Sequence, residues 1–104
     1  MSDASFKEFV LEQLAEAKGL KTRSMFGGTG LYIGEAFFGI VHKGSLYFRT
    51  DEASRPAYVK AGSRPFNPKG KIELHRYYEV PSEVLEDAGE LLVWAKRATK
   101  ARPP

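Results

Sequence analysis

Arg23 and the glycines that follow it are the residues whose types and spacing most resemble a binding device. The run Arg23-Ser-Met-Phe-Gly-Gly-Thr-Gly-Leu-Tyr32 sets a guanidinium ahead of Gly27, Gly28 and Gly30. Glycine lets backbone approach a ligand closely, and backbone N–H groups beside an arginine can hold an anion. The spacing does not fit the known phosphate loops. Gly28, Gly30 and Gly34 run G-x-G-x-x-x-G, one residue too long for the dinucleotide fingerprint, and strand-like residues follow where a helix N-terminus is required. No G-x-x-x-x-G-K-[ST] string is present, and His42-Lys43-Gly44-Ser45 has similar letters in another order. A backbone bend or bulge is therefore the preferred reading of the cluster, with a small anion- or ligand-binding loop over Arg23–Gly30 as an alternative.

Other reactive residue types are scattered. His42 and His75 fall in separate strand-like segments, and a zinc site needs three or four ligands in paired spacings, so no metal site is expected. Both histidines are expected to face solvent. Asp51-Glu52 reads as a helix start, not as a catalytic pair. Ser5, Ser54 and Ser82 read as helix caps, and no serine has a G-x-S-x-G neighbourhood. The chain has no cysteine, which excludes disulfides and thiolate chemistry and fits a reducing compartment. No catalytic residues and no cofactor are expected.

These residues must be held by 104 residues, about one domain's length, with 42% apolar and 28% charged side chains. No apolar run approaches the roughly 20 residues needed to span a bilayer, and the N-terminus has no leader pattern. A cytoplasmic, non-membrane protein is expected. The net charge is +3 and unevenly spread. Glu83, Glu86, Asp87 and Glu90 crowd one stretch. Arg55, Lys60, Arg64, Lys69, Lys71 and Arg76 fill another against Glu73 alone, and Lys96, Arg97, Lys100 and Arg102 follow late in the chain. Tyr58, Phe66, Tyr77 and Tyr78 interleave with the bases of 55–76. A sheet face of aromatics with a basic rim can bind single-stranded nucleic acid. Arg64, Lys69, Lys71, Arg76, Lys100 and Arg102 are the candidate contacts for nucleic acid or an acidic partner. A solvated surface is the preferred reading.

Apolar spacing predicts an amphipathic helix over 5–18, with Phe6, Phe9, Val10, Leu14 and Ala17 on one stripe, Ser5 and Glu8 as capping box, and Gly19 in the left-handed region. Residues 22–33 read as one strand or bulged strand. Strands over 37–42 and 45–50 follow, joined by a Lys43-Gly44 turn, with Leu46 and Phe48 facing the helices. A short helix begins near Ser54, with Pro56 in its first turn and Tyr58 and Val59 available for burial, and it ends at Gly62. A loop over 63–70 carries a short extended piece around Phe66, and 72–80 reads as a strand. The last helix starts at Ser82, buries Val84, Leu85, Ala88, Leu91, Leu92, Ala95 and Ala98, and has Trp94 at its margin. Residues 99–104 are expected to form a disordered tail. The order α-β(3)-α-β(2)-α predicts an α+β two-layer sandwich with a mainly antiparallel sheet in a single domain over 1–104.

Arg23-Ser-Met-Phe-Gly-Gly, Gly30-Leu31-Tyr32, Phe38-Gly39-Ile40 and Leu46-Tyr47-Phe48 followed by Asp51 resemble the N-terminal domain of the TfoX/Sxy competence regulators. Gly62…Pro65-Phe66, Tyr77-Tyr78-Glu79-Val80-Pro81 and Leu91…Trp94-Ala95…Ala98 continue the resemblance over nearly the whole chain. Pro68 departs from it, standing where an aromatic is expected. The resemblance implies a fold like that of the type III secretion chaperones, and with it a homodimer. It makes Arg23, Met25, Phe26, Gly27, Gly28 and Gly30 a family motif, read here as structural. Full-length regulators act in transcription of DNA-uptake genes and carry a second, C-terminal domain, to which nothing in this sequence corresponds. The expectation is a non-enzymatic regulatory protein acting through protein contacts. Nucleic-acid binding through 55–76 and the tail is the first alternative, and a ligand at Arg23–Gly30 the second.

Overall fold

The computed structural model describes residues 3–25, 27–67 and 74–101. Helix α1 spans Asp3–Gln13, and strands β1 (Leu20–Met25), β2 (Gly28–Ile33), β3 (Ala36–His42) and β4 (Ser45–Arg49) follow. Then come α2 (Arg55–Lys60), β5 (Pro65–Phe66), β6 (Leu74–Glu79), α3 (Ser82–Leu85) and α4 (Ala88–Lys100). All six strands lie in one open antiparallel sheet of order β1-β2-β3-β4-β6-β5. The α+β class and the antiparallel sheet are as the sequence predicts.

The strand count differs, because residues 22–33 form a hairpin and not one bulged strand. Met25 pairs with Gly28, and Gly27 turns the chain at φ +75°. The irregularity lies instead in β3. Leu31 faces Gly39 while Tyr32 faces Phe37, so Phe38 is an extra residue. The next turn is as expected: Lys43 and Gly44 take φ 46° and 76°, the two positive values of a tight primed hairpin.

Helices cover one face of the sheet. Their core gathers Phe6 and Val10 from α1 and Leu14 from the turn after it, Leu31, Phe38, Val41, Leu46 and Phe48 from the sheet, Tyr58 from α2, and Leu91, Ala95 and Ala98 from α4. Strand period two sends Leu46 and Phe48 to this face, as predicted. Val59 is instead 58% exposed, because Tyr58 fills the buried side of a helix only six residues long.

Helix ends also differ. Residue 5 is already inside α1, so Ser5 does not cap it. The α-helix ends at Gln13 and tightens into three-residue turns, Ala15 N–H donating to the Glu12 carbonyl and Ala17 N–H to that of Leu14. Gly19 takes the expected left-handed conformation (φ +78°) just before β1. Asp51 and Ser54 cap reciprocally: Ser54 N–H donates to Asp51 Oδ1 at 2.9 Å, and Asp51 N–H donates to Ser54 Oγ at 3.0 Å. The predicted last helix is broken at Glu86-Asp87. Asp87, not Ser82, caps the longer part, its Oδ1 accepting from Glu90 N–H at 3.1 Å. A carboxylate at a helix start suits both the free N–H groups and the dipole. The break leaves Ala88 in the exposed first turn of α4. Residues 99–100 are helical and Ala101 is buried, its carbonyl accepting from Arg49 Nη2, so the chain is ordered past the point where a tail is predicted.

Candidate interaction surface

The Arg23–Tyr32 stretch is built by cross-strand packing on the face away from the helices. Arg23 pairs with Gly30 and Lys21 with Tyr32, which puts Lys21, Arg23 and Met25 on that face beside Gly30 and Tyr32. Arg23 does not stand over its partner. It leans along the diagonal, its guanidinium carbon 5.6 Å from the Tyr32 ring centre. Met25 leans the same way, and its tip fills the space above Gly30: a Cβ there would lie 2.7 Å from Met25 Cε and 3.2 Å from Phe37 Cε1. The glycine is the hole into which the methionine fits, and the tyrosine is the platform under the arginine. A cation–π contact at such an exposed site contributes about 0.5–1 kcal/mol.

Gly28 has a different cause. A Cβ on it would sit 2.2 Å from the Val41 carbonyl oxygen, so β2 can approach β3 at this point only without a side chain. The space a ligand would need near Gly28 and Gly30 is thus taken by β3 backbone, Met25 and Phe37. The open space near Arg23 lies elsewhere. A groove of about 430 Å³ runs along the outer edge, lined by Lys21, Thr22, Arg23, Tyr32, Gly34 and Glu35. Arg23 makes no ion pair among the described residues, and Phe26 lies outside them.

Next to this corner the helix-free face becomes an aromatic layer. Tyr32 stacks on Phe37 at 5.1 Å, Phe37 meets Tyr77 at 5.3 Å, and Tyr47 meets Phe66 at 4.8 Å. Ile40, Phe66 and Tyr77 are buried within it. His42 is buried too, edge-on to Phe66 at 5.3 Å, so the expectation of a solvent-facing histidine fails there. Phe66, carried on β5, packs against both His42 and Tyr47. The expectation for His75 concerns a side chain outside the described ones. Burial raises the Tyr77 phenol above its ordinary value, against the pull of the Arg49 and Arg76 charges. Burial likewise raises Tyr47, while its bond to the Ser45 side chain opposes the shift.

The predicted nucleic-acid patch does not assemble. Of its aromatics, Tyr58 is in the helix-side core, 4.8 Å from Trp94, Phe66 and Tyr77 are buried, and Tyr78 packs against the helix-side core. None offers an open ring for a base to stack on. Of its cations, Arg64, Arg76 and Lys100 are exposed. Arg76 alternates to the face opposite Tyr77 and Lys100 sits in the helix layer, so neither rims the aromatic face. Lys69, Lys71 and Arg102, and the Pro68 departure, lie outside the described residues. Sequence reasoning missed the pairing of Lys21 with Arg23 beside a groove. Their i, i+2 spacing in a strand was the available signal.

Among the described residues no group of three or more His, Asp or Glu is placed to hold a metal ion, and no helix is long and apolar enough to cross a membrane. A helix-backed antiparallel sheet with a basic outer strand and closely packed glycines is a small α+β domain. Residues 12–102 match the TfoX N-terminal domain, and the chain belongs to that family. No curated protein matches it.

Proposed function

We propose that this chain is a non-enzymatic interaction module of the competence-regulator type, acting through protein contacts in gene regulation. The observation that carries the reading is family membership over 12–102. Side chains with catalytic potential are engaged in the architecture: His42 packs against Phe66, and Asp51 caps with Ser54. A homodimer and a cytoplasmic setting belong to the same reading. The test is affinity capture from native lysate after mild crosslinking, together with sedimentation of the pure chain. Reproducible recovery of a protein partner supports the reading. Turnover of a small-molecule substrate, or repeated capture of nothing, overturns it.

Direct nucleic-acid binding is the second reading, favoured by the exposed cations Arg64, Arg76 and Lys100. It now rests on charge without stacking, so it predicts weak, sequence-independent affinity that falls steeply with salt. Neutralising Lys69, Lys71 and Arg76 together should abolish such binding in a low-salt mobility-shift assay. Unchanged binding by that triple variant removes this reading.

A further inference from the structure

The sheet ends in two unlike edges. β5 is two residues long, and a short strand is one way in which proteins keep a sheet edge from recruiting other chains. β1 has six residues, of which Lys21, Thr22, Arg23 and Ser24 are exposed, and its outer backbone groups form a template for another strand. Strand addition takes its affinity from main-chain hydrogen bonds and its specificity from alternate side chains. On β1 the alternate pair on the helix-free face is Lys21 and Arg23, beside a groove floored by Tyr32.

Charge disfavours a second copy that continues both layers of the fold. If a second copy extended the sheet through β1, antiparallel and with its helices on the same side, opposed residues would share a face. The registers that pair most of the strand would then set Lys21 against Arg23, or Arg23 against itself. Like charges directly opposite are destabilising. An incoming strand with carboxylates at i and i+2 meets both cations and leaves its intervening residues beside Thr22 and the half-buried Leu20.

We propose that the β1 edge binds an extended acidic segment of a partner protein as a seventh strand, with alternate Asp or Glu side chains on Lys21 and Arg23. The inference rests on the interaction reading and gives it a location and a ligand chemistry. The ladder supplies backbone bonds along the strand. The Arg23 guanidinium, already held over Tyr32, loses little freedom on accepting a carboxylate. Glu35, which also lines the groove, disfavours an acidic residue beside it and so contributes to register.

The test uses a short capped peptide alternating glutamate with threonine and valine, fluorescently labelled, and anisotropy with the full chain. Binding is expected, and to weaken about tenfold with K21E/R23E, two exposed ion pairs being together worth about 1–2 kcal/mol. A peptide with lysine for glutamate should recover affinity for that double variant. Two further peptides, N-methylated at alternate residues in the two possible phases, separate strand addition from loose charge attraction. One phase should lose binding and the other keep it. Equal binding of both phases, equal competition by an oligothymidylate, or a β1-dependent dimer of the free chain would each overturn the proposal. So would peptide affinity unchanged by K21E/R23E at an unchanged melting temperature. If that double variant still captures the same lysate partner, the interaction reading stands and its placement on β1 falls.

Discussion

The β1–β2 and β3–β4 hairpins each reverse over two residues ending in a positive-φ glycine, Gly27 and Gly44. Their surroundings diverge from there. The second hairpin is central: Phe38, Ile40, Leu46 and Phe48 are all essentially inaccessible. The first is lateral, with four consecutive exposed residues in β1 and its packing concentrated in β2. Burial of each large apolar side chain contributes about 1.5–3 kcal/mol, so the central hairpin carries much of the stability. The lateral hairpin carries exposed charge and an open edge. One structural unit serves two purposes according to its position in the sheet.

That contrast can be broken experimentally, beginning with the core. Phe48→Ala removes a ring packed 5.6 Å from Phe38 and should cost about 3–5 kcal/mol in chemical denaturation. A loss below 1 kcal/mol would show that the central hairpin is not the main support. Gly28→Val tests the joint between the hairpins. The Val41 carbonyl blocks the added carbon, so about 1–3 kcal/mol or more should be lost while the folded fraction binds partners normally. An equal melting temperature with a specific binding defect would make Gly28 a contact residue instead.

Alkaline pH gives a third measurement. Tyr47 in the central hairpin, Tyr77 beside it and Tyr58 in the helix-side core all have phenols raised by burial. A raised folded-state value favours the neutral phenol in the fold. Stability from these groups is therefore complete below about pH 10 and is lost as pH climbs toward the folded-state values. Tyr58→Phe should flatten the decline by up to about 1.4 kcal/mol per pH unit, followed by urea midpoints from pH 9 to 11. An identical decline in the variant would assign the loss to other groups.

The turn is a smaller lever. At Gly44, φ is +76° with open space around the missing side chain, so Gly44→Ala carries backbone strain alone, about 1–2 kcal/mol. Smallest of all should be Lys21→Ala, within about 0.5 kcal/mol by thermal melting, and Arg23→Ala, within about 1 kcal/mol through its contact with Tyr32. A larger loss would mean that the lateral hairpin is held by its cations.

The elements that could be read from sequence are those in which one periodicity runs unbroken. Phe6 and Val10 mark the buried stripe of α1, which Leu14 and Ala17 continue through the turns after it, and Leu46 with Phe48 mark the inner face of β4. Lys43-Gly44 marks a turn because positive φ there needs little else. The misreadings lie where a local signal was outcompeted by packing. Gly27 and Gly28 looked like a bulge, but antiparallel pairing of β1 with β2 requires the chain to reverse there. Ser82 looked like a cap, but Asp87 fits the start of the longer helix. The motif residues stood out in the sequence, whereas their purpose did not: Met25 over Gly30 is a contact between strands, and no linear spacing encodes it. The aromatics of 55–78 formed a run in sequence but are divided by the sheet between its two sides.

Phe38, the additional residue of β3, has a further consequence for reading and altering this chain. It acts as a phase shift: residues before it and after it alternate with opposite parity, so Phe37 and Ile40, three positions apart, share the helix-free layer while Phe38 and Val41 share the other. Deleting that one position would restore an unbroken alternation that keeps Phe37 and Ile40 on the helix-free side, so the loss would be the ring that Phe38 buries in the helix-side core. Filling that core position is therefore the requirement here, and a homologous chain should tolerate Leu or Met at 38 far better than Gly or a charged residue.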